Sequence, residues 1–383
     1  MDKISSTLLH LSLIEGVGAS AIQKIIDSLG DQQLASVYDF SSEQLARRFG
    51  FTLFYAQKIC TGLADSLLLE QEIQLIEKHG ISLITILDDS YPDFLKTIYL
   101  PPSILYVRGE MAALQSDAVA IVGSRKADGY GQRVVNLFVP ELVAAGLVIV
   151  SGGAAGADSF AHSSALAAGG VTVAVLGSGL LRLYPASNKL LFEDIVAKGG
   201  ALVSPFSLRA DPLPGNFPAR NRIIAGLSKG CLVVQADVKS GAAITARFAL
   251  EQGREVFAVP GSVENPLSAG CHQLIKDGAT IVMSAADMLQ QIMPEYTPVS
   301  DQKAKSVFAD NEKRREVSPT PAILFFNPIH QKIYEICQKP CLLDELIEII
   351  NLPMTELQGH LFDLQVQGFL EQDFIGRWQQ ILK

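Results

Sequence analysis

The segment Val119-Ala-Ile-Val-Gly-Ser-Arg-Lys-Ala-Asp-Gly-Tyr-Gly131 is an apolar run that ends in glycine and two cations before a helical pattern begins. Glycines let backbone amides approach an anion, a helix start adds partial positive charge, and Arg125 and Lys126 add full charges. A nucleotide or a polyanion is the ligand class that this chemistry suits. The spacing is neither G-x-G-x-x-G nor G-x-x-x-x-G-K-[ST], so no common cofactor is specified and none is expected. Arg125, directly after the strand-end pair Gly123-Ser124, is expensive to bury and marks where a ligand should lie. A second cationic pair, Arg220 and Arg222, flanks Asn221 at the start of a helical pattern that runs from Ile223 to Leu227. Cations at a helix start oppose its dipole unless an anion is present, so phosphate contact is expected there too. Phe217, just before them, can stack a base or simply plug the core.

Catalytic groupings are weak by comparison. Ser151, Asp158 and His162 could be imagined as a nucleophile system, but Asp158 reads better as a helix cap and His162 as a satisfied, half-buried residue. The other histidines are scattered and accompany no carboxylate cluster, so no metal site is expected. Five cysteines (60, 231, 271, 337 and 341) include no C-x-x-C pair, which suits free thiols in a reducing compartment.

The elements that would position these residues follow from hydrophobic patterning. Apolar runs at 118–122, 147–150, 171–176, 201–203, 231–234, 255–259 and 280–283 alternate with helical patterns or turns. Such runs, without polar alternation, predict a parallel sheet covered on both faces: an extended Rossmann-like, doubly wound α/β domain with ligands at the carboxyl ends of its strands. Nearly every run ends in small residues, as at Ser151-Gly152, Gly177-Ser-Gly179 and Ser240-Gly241. That rim admits a ligand backbone in several places, which suits an extended anion better than a compact cofactor. Pro140 falls inside the helical pattern 130–144 and is expected to kink it.

Four segments are expected: a helical module at 1–79, the α/β core at 80–293, a proline-containing linker at 294–321 and a winged-helix-like domain at 322–383. In the first, Gly16-Val17-Gly18 between two helical patterns is similar to a helix-hairpin-helix turn, but only Lys24 lies nearby and a packing role is favoured. In the last, the would-be recognition helix at 355–367 carries Glu356 and Asp363 and no Lys or Arg, which favours protein contact or packing over groove reading. The 383 residues carry a net charge of −9. The core holds 16 Lys and Arg against 17 Asp and Glu, so an anion site must be a local patch between acidic ends. The sequence offers no membrane-spanning run and no leader pattern, so a cytoplasmic protein is expected.

Taken together, several ordered stretches resemble the DNA-processing protein DprA (Smf) family. They are Tyr91-Pro92, Ile121-Val-Gly-Ser-Arg125, Ser151-Gly152 with Gly156 and Asp158, Tyr184-Pro185, Phe217-Pro-Ala-Arg-Asn-Arg222, Ser240-Gly241 and Phe257-Ala-Val-Pro-Gly261. The resemblance spans about residues 85–290. It implies a single-stranded DNA-binding protein that protects incoming strands during natural transformation and loads the RecA recombinase onto them. It further implies a homodimer without catalytic activity, cofactor or metal. Its single-stranded DNA pocket carries over to Gly123, Ser124, Arg125, Arg220, Asn221 and Arg222, with Ser151, Gly152 and Phe217 beside them. Departures from the family pattern are Ala155 in place of arginine, Pro205 and Gln235 in place of acids, and His272 in place of asparagine. The core also resembles Rossmann-like nucleotide phosphoribohydrolases with a P-G-G-x-G-T-x-x-E loop. Here that loop is Ser240 to Phe248, and Phe248 stands where the needed carboxylate should be.

Overall fold

The computed structural model describes residues 1–296 and, within 327–380, all but 340, 342, 351, 367, 368 and 373–376. Most of the linker at 294–321 lies outside these residues. The chain divides into two compact units, Met1–Asp301 and Gln302–Lys383.

The first unit is built on a nine-stranded sheet in the order β1-β2-β6-β5-β4-β3-β7-β8-β9. The strands are β1 Ser82–Thr85, β2 Ile104–Gly109, β3 Ala118–Val122, β4 Val148–Ser151, β5 Thr172–Val175, β6 Ala201–Ser204, β7 Gly230–Val233, β8 Glu255–Ala258 and β9 Thr280–Ile281. The seven apolar runs thus become seven strands, all parallel in their pairings with one another. β1 and β2 add an antiparallel edge through β6. The sequence pattern missed this edge because Pro101 and Pro102 read as punctuation. Proline is tolerated just ahead of a strand, however, and Ile104 to Val107 are buried.

From β3 the chain winds one way through β4, β5 and β6, then returns to lay β7 on the other side of β3 and winds outward to β9. The crevice between the ends of β3 and β7 is therefore the topological switch point, where such sheets bind ligands. Alternation along β3 serves both faces. Val119 and Ile121 pack with Val135, Phe138 and Leu142 of helix α7 (Gly129–Ala144), while Ala118, Ala120 and Val122 belong to the opposite cluster, with Ile223 and Ala246. Pro140 lies on the exposed side of α7, which is assigned as helix throughout.

Five helices precede the sheet: α1 Lys3–Leu13, α2 Ala19–Leu29, α3 Ser42–Phe49, α4 Leu53–Leu63 and α5 Ser66–Lys78. They share one apolar cluster with the core, in which Leu8, Ile25 and Ile59 join Tyr106, Leu202 and Phe192. The Gly16-Val17-Gly18 turn is used internally, its Gly16 carbonyl accepting from the Tyr55 hydroxyl at 3.0 Å. Glu72 of α5 is buried and accepts the Leu208 amide at 2.7 Å, a polar tie across the apolar seam. Glu72→Ala leaves that buried N–H without its partner and is expected to destabilise this unit by about 1–3 kcal/mol in urea unfolding.

The second unit contains α14 Pro328–Ile336, α15 Leu343–Ile350, α16 Met354–Val366 and the antiparallel pair β10 Leu370–Gln372 and β11 Trp378–Gln380. Ile333, Leu346, Leu361, Leu370 and Trp378 form its core, the three helices and wing that the sequence pattern predicts. No helix among the described residues is long and apolar enough to cross a membrane.

Candidate nucleic-acid interface

The switch-point cleft has a volume of about 260 Å³ and is lined by the Gly123-Ser124-Arg125 turn, Phe217, Arg220, Asn221 and the Ser240-Gly241 turn. Its base depends on close approach. A Cβ at Gly123 would stand 2.6 Å from the Ala157 Cβ and 3.0 Å from the Gln235 carbonyl oxygen, so only glycine lets β3 meet both neighbours. Ser124 N–H then donates to that Gln235 oxygen at 2.6 Å, and Ala157 N–H donates to the Ser124 carbonyl at 3.2 Å.

The start of α7 does not offer its amides to a ligand, contrary to the sequence expectation. Asp128 caps it, accepting from Tyr130 N–H at 2.8 Å and Gly131 N–H at 3.3 Å. The Gln235 side-chain amide donates to the same carboxylate at 3.1 Å and accepts the Asp128 N–H at 3.1 Å. An acid at 235 could not donate in this way, so the departure at Gln235 is accommodated by a neutral two-way contact.

Arg125 is exposed and, among the described residues, makes no ion pair. Its guanidinium lies 5.2 Å from the centroid of the half-buried Phe217 ring, and Tyr184 flanks that ring at 5.8 Å. Cation, aromatic and a second, exposed aromatic thus form one continuous surface beside the cleft. Such a surface can pair a phosphate with Arg125 and stack a base nearby.

Arg220 behaves differently. Helix α10 runs Asn216–Gly226, so Arg220 and Arg222 lie in its interior and not at its start, and the dipole argument made for them fails. Arg220 is 4% exposed and donates to the carbonyls of Gly152 and Val175 and to Asn221 Oδ1. Burial brings its guanidinium down to about 10, with Asp158 opposing that fall and Arg125 adding to it, so it remains charged at neutral pH. It is a fixed positive floor.

Arg222 is not brought to this cleft. Two residues along a helix turn the side chain to roughly the opposite face. It donates to the Tyr99 carbonyl at 3.0 Å and lines a separate groove with Gly18, Pro205 and Phe206. Ser151 is fully buried, its hydroxyl donating to the Ile121 carbonyl at 2.6 Å, so it ties the sheet together. Gly152 is buried as well, and a Cβ there would meet the Arg220 guanidinium at 2.7 Å. Asn221 lines the cleft and donates to the Gly241 carbonyl at 3.2 Å, joining α10 to the start of α11 (Gly241–Glu251).

Asp158 is not the residue that opens its helix, since Gly156 holds the N-cap of α8 (Ala157–Ala167). It lies in the first turn and accepts from Ala154 N–H at 3.3 Å, with burial raising its carboxyl and Arg220 restraining the rise. His162 is fully buried, where the sequence suggested half-burial. The Thr172 hydroxyl donates to the Ile149 carbonyl at 2.6 Å, so His162 Nδ1–H must be the donor in its 2.7 Å contact with that hydroxyl. Burial and Arg220 push the imidazole down to about 3. The unfolded chain therefore takes up this proton first as pH falls. The stability that the neutral ring carries is complete above about 6.5 and drains between there and about 3. Moving from pH 7 to pH 5 is expected to cost about 2 kcal/mol through this residue. Comparing urea unfolding of wild type and His162→Gln at both values checks it, because the variant should lose that share of the pH dependence.

Tyr184, Asp237 and Thr245 also line these surfaces and were not expected as ligand residues. The small-residue strand ends hinted at Asp237 and Thr245, and Tyr184 stood in the Tyr184-Pro185 stretch of the family pattern without a role read for it. Phe248 packs against the core cluster, and the carboxylates lining the cleft are Asp158 and the exposed Asp237.

A model of the DNA recombination-mediator protein A family matches residues 82–293. Protein Smf of Escherichia coli (strain K12) is 37% identical over 321 residues, 84% of this chain and 83% of its own length. The X-ray structure of DNA processing protein A (DprA) from Streptococcus pneumoniae is similar at 36% identity and a TM-score of 0.67, over 75% of this chain and 97% of that one. A structure of DNA processing protein A from Helicobacter pylori, described for its single-stranded DNA binding mode, is similar at 29% identity and a TM-score of 0.51. That match covers 57% of this chain and 97% of the other.

Proposed function

The chain belongs to the DNA recombination-mediator protein A family, and from that membership we propose that it binds single-stranded DNA along the β3–β7 cleft. The observation that carries this reading is the exposed Arg125, without an ion pair among the described residues, over the Phe217 ring that also faces the buried charge of Arg220. Phosphates pair with Arg125 while bases stack towards Phe217 and Tyr184, with little sequence preference. The protein acts in the cytoplasm as a homodimer, protects incoming strands during natural transformation and passes them to the RecA recombinase. It does so without catalysis, because the loop from Ser240 to Phe248 lacks an acid at its end.

Fluorescence anisotropy with single- and double-stranded oligonucleotides at two salt concentrations tests this. Preference for the single strand and a clear log–log salt slope are expected. A negligible slope would count against the reading, as would release of free base from AMP or CMP. Ala155 offers a gain-of-function check. It is exposed on the rim that Arg125 and Phe217 also line, where the family carries arginine. Ala155→Arg is expected to tighten single-strand binding and steepen the salt slope by about 0.7, the increment of one added phosphate contact.

A further inference from the structure

The second unit brings together three side chains that are distant in sequence. His330 lies in the first turn of α14, and His360 and Asp363 lie three residues apart on one face of α16. His330 Nε2 and His360 Nδ1 are 3.0 Å apart, the rings meeting edge to face. The ligand atoms of all three residues lie within 4.8 Å of one another, the histidines half-buried and the aspartate exposed. Spacing along the chain gave no hint of this, because 30 residues separate the two imidazoles.

We propose that His330, His360 and Asp363 form a binding site for a divalent transition metal of the zinc class, pinning α14 to α16. Two imidazoles and a carboxylate, with a fourth position open to water, are a donor set that such ions take. In a tetrahedral site with metal–nitrogen bonds of about 2.0–2.1 Å, two ligand nitrogens stand about 3.3 Å apart. The present separation needs to open by only a few tenths of an ångström. In the absence of metal, one ring must present a lone pair to the other, so at least one imidazole is already in the ligating form. The two helices already carry the donors on facing surfaces, so the ion would find the site largely formed. Residues 294–383 hold 13 Asp and Glu against 9 Lys and Arg, a balance that favours a cation.

The nearest rival is the buried thiol pair Cys337 and Cys341, with sulfurs 3.7 Å apart. That pair offers two donors, and among the described residues no third ligand atom of a His, Cys or carboxylate joins it in a cluster.

The test is titration of the full chain, without an affinity tag, with Zn(II) and with Co(II) at neutral pH. One equivalent is expected, with visible Co(II) d–d bands and no sulfur charge-transfer band. Zn(II) should also raise the melting temperature of the second unit. Asp363→Asn changes an exposed residue and should leave the fold intact while weakening binding by more than about tenfold, and His360→Ala should remove the bound equivalent. Cys337→Ser should alter neither. Full-strength binding in the His360→Ala, Asp363→Asn double variant would overturn the proposal. So would a sulfur charge-transfer band, or no binding at micromolar metal.

Discussion

Arg220→Met is expected to lower the unfolding free energy of the first unit by about 3–5 kcal/mol, the range for breaking a buried charge arrangement from one side. Methionine fills much of the same volume, so the loss measures charge and hydrogen bonding more than a cavity. It strips the carbonyls of Gly152 and Val175 of their shared donor and leaves the buried Asp158 without the guanidinium that restrains its pKa. The single tryptophan, Trp378, belongs to the second unit. Urea unfolding of the sheet should therefore be followed by far-ultraviolet circular dichroism. Adding Asp158→Asn to Arg220→Met should recover part of the loss, because the remaining carboxyl no longer has to be buried alone. A change below about 1 kcal/mol in the single variant would show that Arg220 is not fixed as described.

Arg125→Ala is expected to behave in the opposite way. This side chain is exposed and unpaired among the described residues, so stability should move by less than about 0.5 kcal/mol. Single-strand affinity at low salt should fall about tenfold, and the log–log salt slope should shrink by about 0.7, one contact on a single strand. Phe217→Ala should cost about 1–3 kcal/mol of binding if a base stacks there. Because the guanidinium and ring face each other at 5.2 Å, the two substitutions should not add. Anisotropy titrations of wild type, both single variants and the double variant give the coupling directly. Unchanged binding in Arg125→Ala would move the interface elsewhere.

The central strands β3 to β7 were readable because they are buried along their length and so are written mostly in Val, Ile, Leu and Ala. β1 and β2 were not: β1 pairs with β2, and β2 is joined to the sheet only through β6, about a hundred residues further on. Arg125 was identifiable from its neighbours, because the chemistry of a strand-end loop is local. The roles of Arg220 and Arg222 were not. Two residues apart and alike in type, they are separated by the turn of α10, and one is held by carbonyls just after β4 and at the end of β5 that no local pattern names. The helix start after Asp128 was likewise read as an open cradle, when Asp128 caps it and takes further partners, Gln235 and Asn265, from later loops.

Gln235 connects the carboxyl ends of β3 and β7 through its backbone oxygen and its side-chain amide. The cleft walls are thereby fixed before any ligand arrives. Under the proposed function, most of the ordering entropy of association then falls on the bound strand, and the protein has little of its own to lose. A partner that needs no rearrangement can capture at encounter-limited rates, typically about 10⁵–10⁷ M⁻¹s⁻¹ and faster with charge steering. Substitutions on the rim should accordingly be felt in how long a strand stays, much more than in how quickly it is caught.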